Sequence, residues 1–167
     1  AKDDYEVKGV VLDFATGGGE VDGAFECAEH IRELVAEKKV HGMVNSHAYS
    51  AGYLLASACS TISVPPTGGV GSIGVVTGHM DVSEAMSEAG YKLTFIFKGK
   101  HKVDGNSYNP LPEGVRKRID ARLDTPYNLF VDTVAKYRSM DSQAIRDTEA
   151  LTFTAEEALN LGLVDSV

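Results

Sequence analysis

The sequence predicts an α/β domain organised around a largely parallel sheet. Two observations carry that expectation. Short apolar runs of strand length recur along the chain, and the stretches between them space their apolar residues three or four apart, as a helix does. Glycine clusters punctuate the joints between these elements. There is no internal repeat and no low-complexity segment.

The elements follow in order. Residues 7–14, Val-Lys-Gly-Val-Val-Leu-Asp-Phe, read as a buried strand broken by Thr16-Gly17-Gly18-Gly19. Over 20–38, Val21, Ala24, Ala28, Ile31, Leu34 and Val35 form one helical stripe. Residues 40–45 make a second strand, 50–58 a short apolar helix, and 61–64 a third strand stopped by Pro65-Pro66. A loop with glycines at 68, 69, 71 and 74 leads into the apolar run 73–77, and a helix follows near 82–89. Residues 93–97 read as a further strand and 98–111 as a loop rich in Gly, Asn and Pro. Pro112 opens a long helix with Val115, Ile119, Leu123, Phe130, Val134 and Tyr137 at helical spacing. Pro126 should kink that helix or end its first half. Thr154-Ala155-Glu156-Glu157 is a capping box for a last short helix, ended by Gly162.

Composition bounds the function. A chain of 167 residues is about one domain, and 43% hydrophobic with 24% charged residues is ordinary for a globular protein. The net charge is −8 and no basic run exceeds Arg116-Lys117-Arg118, which excludes a phosphate-tracking nucleic-acid surface. No apolar run approaches the ~20 residues of a membrane span, and no signal peptide opens the sequence. Cys27 and Cys59 lack metal-ligand spacing and read as buried free thiols, suited to a reducing compartment.

Three places can carry chemistry. The turn Thr16-Gly17-Gly18-Gly19 joins a strand to a helix, where backbone N–H groups meet anions. It fits a phosphate cradle poorly, since neither the Walker pattern nor G-x-G-x-x-G is present, and it serves equally as a plain tight turn or an oxyanion hole. Ser50 begins a short helix after a strand-like run, with Ala51-Gly52 behind it. A nucleophile there would have the Ala51 N–H beside its oxyanion, but serine is also a common helix cap, and Ala48 departs from G-x-S-x-G. A nucleophilic serine needs a base. His30, His41, His47, His79 and His101 have no evident Asp partner by sequence. A lysine serves if burial brings its pKa from about 10.4 to about 7–8. The stretch 97–105 offers Lys98, Lys100 and Lys102, among which composition does not choose, and it reads equally as a solvated basic loop.

Several motifs together resemble the signal peptide peptidase A group of serine proteases, and within it the head maturation proteases of lambda-like tailed phages. They are A-T-G-G-G-E-V-D-G-A-F-E-C-A at 15–28, S-A-G-Y-L-L-A-S at 50–57, G-S-I-G-V at 71–75, G-K-H-K-V-D-G-N-S-Y at 99–108, D-T-E-A at 147–150 and T-A-E-E-A-L-N-L-G-L-V-D at 154–165. H-K-V-D-G-N at 101–106 points to the phage type. The resemblance implies a ClpP/crotonase-like fold of stacked β-β-α units, in a single serine protease domain over residues 1–167. That domain would be trimmed at both ends, with the scaffold extension of phage members absent. It places the nucleophile on Ser50 and the general base on Lys102, 52 positions later. It places the oxyanion hole on Gly18 and Ala51, and a lysine-orienting hydroxyl on Ser72. Gly17 stands where the family often has proline, which loosens the turn. No metal or cofactor is implied. The implied partners are protein substrates (scaffold, minor capsid proteins and the chain itself) in a homo-oligomer, with no nucleic acid and no membrane. The implied place of action is the assembling prohead in the host cytoplasm.

Other readings stand beside this one. A cellular signal peptide peptidase would degrade membrane peptides with the same dyad. A crotonase-type enzyme would turn the same glycine N–H groups on an acyl-CoA ester, and a non-catalytic assembly module would use the fold alone.

Overall fold

The computed structural model describes residues 2–167. They form two compact units, one comprising the chain up to Gly74 together with Pro126–Val167, the other Val75–Thr125. The first unit holds the sheet. Strand β1 (Gly9–Thr16) pairs in parallel with β2 (Lys39–Tyr49), after the connecting helix α1 (Ala24–Glu37). Helix α2 (Ala51–Ser57) follows β2 directly. Strand β3 (Thr61–Ser63) pairs with the start of β2 and β4 (Gly69–Gly71) with its end, both in parallel. The sheet order is β1-β2-β4-β5, with β5 (Thr152–Thr154) antiparallel to β4. This is the α/β architecture expected.

The second unit holds α3 (Ser83–Glu88) and the first half of α4 (Glu113–Arg138). Pro126 lies inside α4 and marks the boundary between the units. Proline removes one rung of the helix ladder without forcing a break, so α4 continues past Pro126 rather than ending its first half there. Helices α5 (Ser142–Arg146) and α6 (Ala155–Asn160) close the chain. The capping box of α6 is present in full, and Gly162 after it has φ 79°.

The core lies in the first unit. Phe14, Val40, Val44, Tyr53, Leu54, Ile62 and Val70 from the sheet and α2 pack with Phe130, Val131 and Val134 of α4. Ala28 is the residue of α1 fully buried among them, and Ile31, Leu34 and Val35 pack against the cluster from the same stripe. Tyr53 donates to the Leu163 carbonyl at 2.7 Å, and burial raises its phenol pKa well above the ordinary value.

Some expectations need correction. Residues 93–97 form no strand; Ile96 is 98% exposed, and an apolar run without a pairing edge has nothing to make it a strand. The first strand is buried on one face only, with Val11 and Asp13 turned outward. Helix α1 starts at Ala24 rather than near residue 20, because Gly23 at φ 81° ends the turn before it. Cys27 is exposed: it lies beside the 24–28–31–35 stripe, not on it. Cys59 is buried as expected, and burial lifts its thiol pKa to about 12, so it is inert. The second strand runs to Tyr49, well past residue 45, because β4 pairs with its far end.

Candidate active site

The site is built where β2 becomes α2. Pairing of Tyr49 with Gly71 carries β2 to the edge of the turn, and the Ser50 N–H donates to the Gly71 carbonyl at 2.9 Å. The Ser50 carbonyl accepts from Tyr53 and Leu54 N–H at 2.9 and 3.0 Å, starting the helix. Held from both sides, Ser50 takes φ 52° and ψ −126°, outside the ordinary region for a residue with a side chain. Its hydroxyl makes no capping bond. A cap would have an extended backbone and an oxygen turned to the helix N–H groups. Ser50 has neither, so the cap reading fails and a strand–turn–helix elbow replaces it, without the G-x-S-x-G pattern.

Gly18 and Ala51 meet Ser50. A Cβ added to Gly18 would stand 2.8 Å from Ser50 Cβ and 3.3 Å from its Oγ, and Gly18 has φ 125°, so no other residue fits there. Ala51 opens α2, and its N–H is among those the helix ladder leaves free. Ser72 follows Gly71, whose carbonyl accepts from Ser50, and has φ 54° with its N–H bonded to the Leu151 carbonyl at 2.8 Å. Four of the five expected residues therefore share one corner of the first unit.

Lys102 belongs to the second unit, and there its loop is well tied. Lys102 N–H donates to Gly99 O at 3.0 Å and Asn106 N–H to Val103 O at 3.3 Å, a chain of turns. Asn106 then anchors the end: its Nδ2 donates to Val103 O at 2.8 Å, and its Oδ1 accepts from Tyr108 N–H at 3.0 Å. His79 Nε2 donates to the Asn106 carbonyl at 2.9 Å. Asp104 joins His101, at 2.9 Å, and Arg118. Desolvation works against the Asp104 charge, but the bonds from Arg118 and His101 outweigh it and hold the carboxyl below the usual range.

Two features escaped the sequence reading. His101 does have an acidic partner, Asp104, three residues on, a spacing that only a turn converts into contact. The other is Thr16, whose Oγ1 accepts from Gly18 N–H at 3.1 Å and donates to Gly18 O at 3.2 Å. A threonine two residues before a turn glycine is the available signal. Among the described residues, no cluster of His, Cys, Asp and Glu is arranged to hold a metal, and no helix is long and apolar enough to cross a membrane.

Known proteins resemble this chain over most of its length. The chain is 40% identical over 167 residues to "Capsid assembly protease C" of Escherichia phage lambda, covering 100% of this chain and 38% of that protein. It is 40% identical over 164 residues to "Head-tail preconnector protein GP5" of Enterobacteria phage P21, covering 98% and 33% respectively. The chain thus spans about a third of these relatives' length. A solved membrane-bound stomatin-specific protease, in complex with a substrate peptide, superposes with a TM-score of 0.60 at 16% identity, over 97% of this chain and 61% of that one. That likeness establishes a ClpP-like fold. Residues 32–167 match the model described as Peptidase family S49, and the chain belongs to that family.

Proposed function

We propose that this chain is the catalytic domain of a serine endopeptidase that cleaves scaffold and minor head proteins during phage head assembly, using a Ser50–Lys102 dyad. The observation that carries the reading is the Ser50 elbow: a strained serine with an uncapped hydroxyl, against Gly18 and at the free end of α2. Strain of this kind costs about 1–3 kcal/mol and persists where function requires it. The likeness to a phage capsid assembly protease supports head assembly as the setting; scaffold and minor head proteins as substrates, the prohead as the place of action and a homo-oligomer as the working form are proposed with it.

In this mechanism neutral Lys102 Nζ accepts the Ser50 proton as Oγ attacks the scissile carbonyl carbon. The carbonyl π pair moves onto oxygen, and the N–H groups of Gly18 and Ala51 hold the resulting oxyanion. Collapse breaks the C–N bond, and Lys102 returns its proton to the departing nitrogen, leaving Ser50 acylated. Water, deprotonated by Lys102, then releases the acid and restores Ser50. Ser72 Oγ orients the lysine.

A fluorophosphonate tests the reading. It labels Ser50 in a protease and leaves a crotonase-type acyl-CoA enzyme unlabelled. Ser50→Ala should abolish labelling and scaffold cleavage with the fold intact, because its hydroxyl bonds nothing in the helix. Cleavage at the parent rate by the alanine variant would sink the proposal.

A further inference from the structure

We infer that Thr16 is a positioning residue for this reaction: its hydroxyl fixes the Gly18 peptide beside Ser50, and its methyl seats that turn on the nucleophile's helix. The inference rests on Ser50 as nucleophile and Gly18 as oxyanion donor, and adds a residue that neither spacing nor resemblance assigns.

The turn is three consecutive glycines, Gly17 to Gly19. Glycine has more backbone freedom than any other residue, so this turn has no stiffness of its own. An oxyanion donor works through preorganisation, and a displacement of about 1 Å at a reacting centre is enough to cost up to a hundredfold in rate. The hold must come from a neighbour, and Thr16 provides it at both ends of one residue. Its hydroxyl accepts from the Gly18 N–H and donates to the Gly18 carbonyl, so the peptides on either side of Gly18 are both restrained.

The methyl provides the second hold. A Cβ added to Gly52 would come within 2.4 Å of Thr16 Cγ2, so the methyl lies directly against the first turn of α2. Thr16 is itself anchored, as the last residue of β1, paired with Ala48 beyond a bulge in the register. A threonine side chain is also stiff at χ1. One residue therefore ties strand end, glycine turn and nucleophile helix together.

The Gly18 N–H faces Thr16 Oγ1 in this state. As the oxyanion develops, a charged acceptor competes with a neutral hydroxyl for that N–H, and charge-assisted bonds are roughly twice as strong. The oxyanion takes the Gly18 N–H as a second and stronger acceptor, and the Thr16 O–H keeps its bond to the Gly18 carbonyl, so the turn stays in place. The contribution belongs to the transition state more than to binding.

Labelling kinetics with a fluorophosphonate test this, since the probe forms an Oγ–P bond at Ser50, releases fluoride and places an oxygen in the hole. Thr16→Val keeps the methyl and loses the hydroxyl; Thr16→Ser does the reverse. Thr16→Val should lower the maximal labelling rate about tenfold, with the half-saturating probe concentration and melting temperature little changed. Thr16→Ser should recover most of the loss. Should the valine variant not fold, Thr16→Ser labelling well ahead of Thr16→Ala supports the role. Ser50 labelled at one rate in the parent and valine variants, or in the serine and alanine variants, overturns it. A parent chain that is not labelled at all overturns the nucleophile reading, and this inference with it.

Discussion

At Ser50 the backbone and the chemistry pull in opposite directions. A φ of 52° with ψ −126° suits glycine, yet the position carries a hydroxyl that caps nothing. Ser50→Gly should therefore raise stability by about 1 kcal/mol by relieving strain, while removing all cleavage. Denaturant midpoints measure the first effect; a glycine variant less stable than the parent would show that the turn is not strained. The base is a second residue-scale question, because His101 with Asp104 is an alternative to Lys102. Lys102→Arg should be inactive, since a guanidinium keeps its proton near neutral pH, whereas His101→Ala should cleave. An inactive His101→Ala with an active Lys102→Arg would transfer the role to the histidine.

Among the elements, the C-terminal segment is tied to β3 and α4 through one carboxylate as well as through backbone bonds. Asp165 accepts from the N–H of Ile62 in β3 at 2.7 Å, and from both Arg138 terminal nitrogens of α4, at 3.0 and 2.9 Å. Partial burial opposes its charge, but the Arg138 bonds and the Ile62 N–H outweigh it, and its pKa is lowered. A lowered folded pKa contributes stability that is present above the unfolded value of about 3.9 and is lost as pH falls through the folded one. Parent and Asp165→Asn should thus differ in urea midpoint at pH 7 and converge towards pH ~2. A difference that stays constant on acidification would exclude the ion pair as its source. The same element scale shows what the sequence makes legible. The α6 capping box and the α1 stripe are local signals, readable because the interactions lie within one turn or one face. Strands β4 and β5 were not legible: Gly-Val-Gly and Thr-Phe-Thr are three residues each and exist only because each pairs with a partner distant in sequence. Ser50, the Ala51 N–H and the 16–19 turn stand out at strand-to-helix joints, family resemblance singles out Gly18 and Ser72, and Thr16 is not legible because its partner is a backbone group.

Across the whole molecule, Ser50, Gly18 and Ala51 belong to one compact unit and Lys102, the proposed base, to the other. The unit that carries Lys102 also leaves Val76 92% and Ile96 98% exposed, with Met80 and Tyr91 largely so. Exposed apolar side chains are the kind of surface a neighbouring protein covers where they are contiguous. The proposed homo-oligomer supplies such a cover, and desolvation by a neighbour is what a lysine needs to act as a neutral base. Activity would then depend on assembly, which would confine cleavage to a prohead, where the chain is concentrated. We expect a dilute monomer to cleave weakly and an assembled sample to cleave well. Ser50→Ala and Lys102→Ala, each inactive alone, should regain part of the parent activity when mixed, because a mixed assembly can place an intact Ser50 from one chain beside an intact Lys102 from another. Analytical ultracentrifugation alongside the cleavage assay connects state to rate. Full activity in a demonstrably monomeric sample, together with no rescue on mixing, would place both members of the dyad within a single chain.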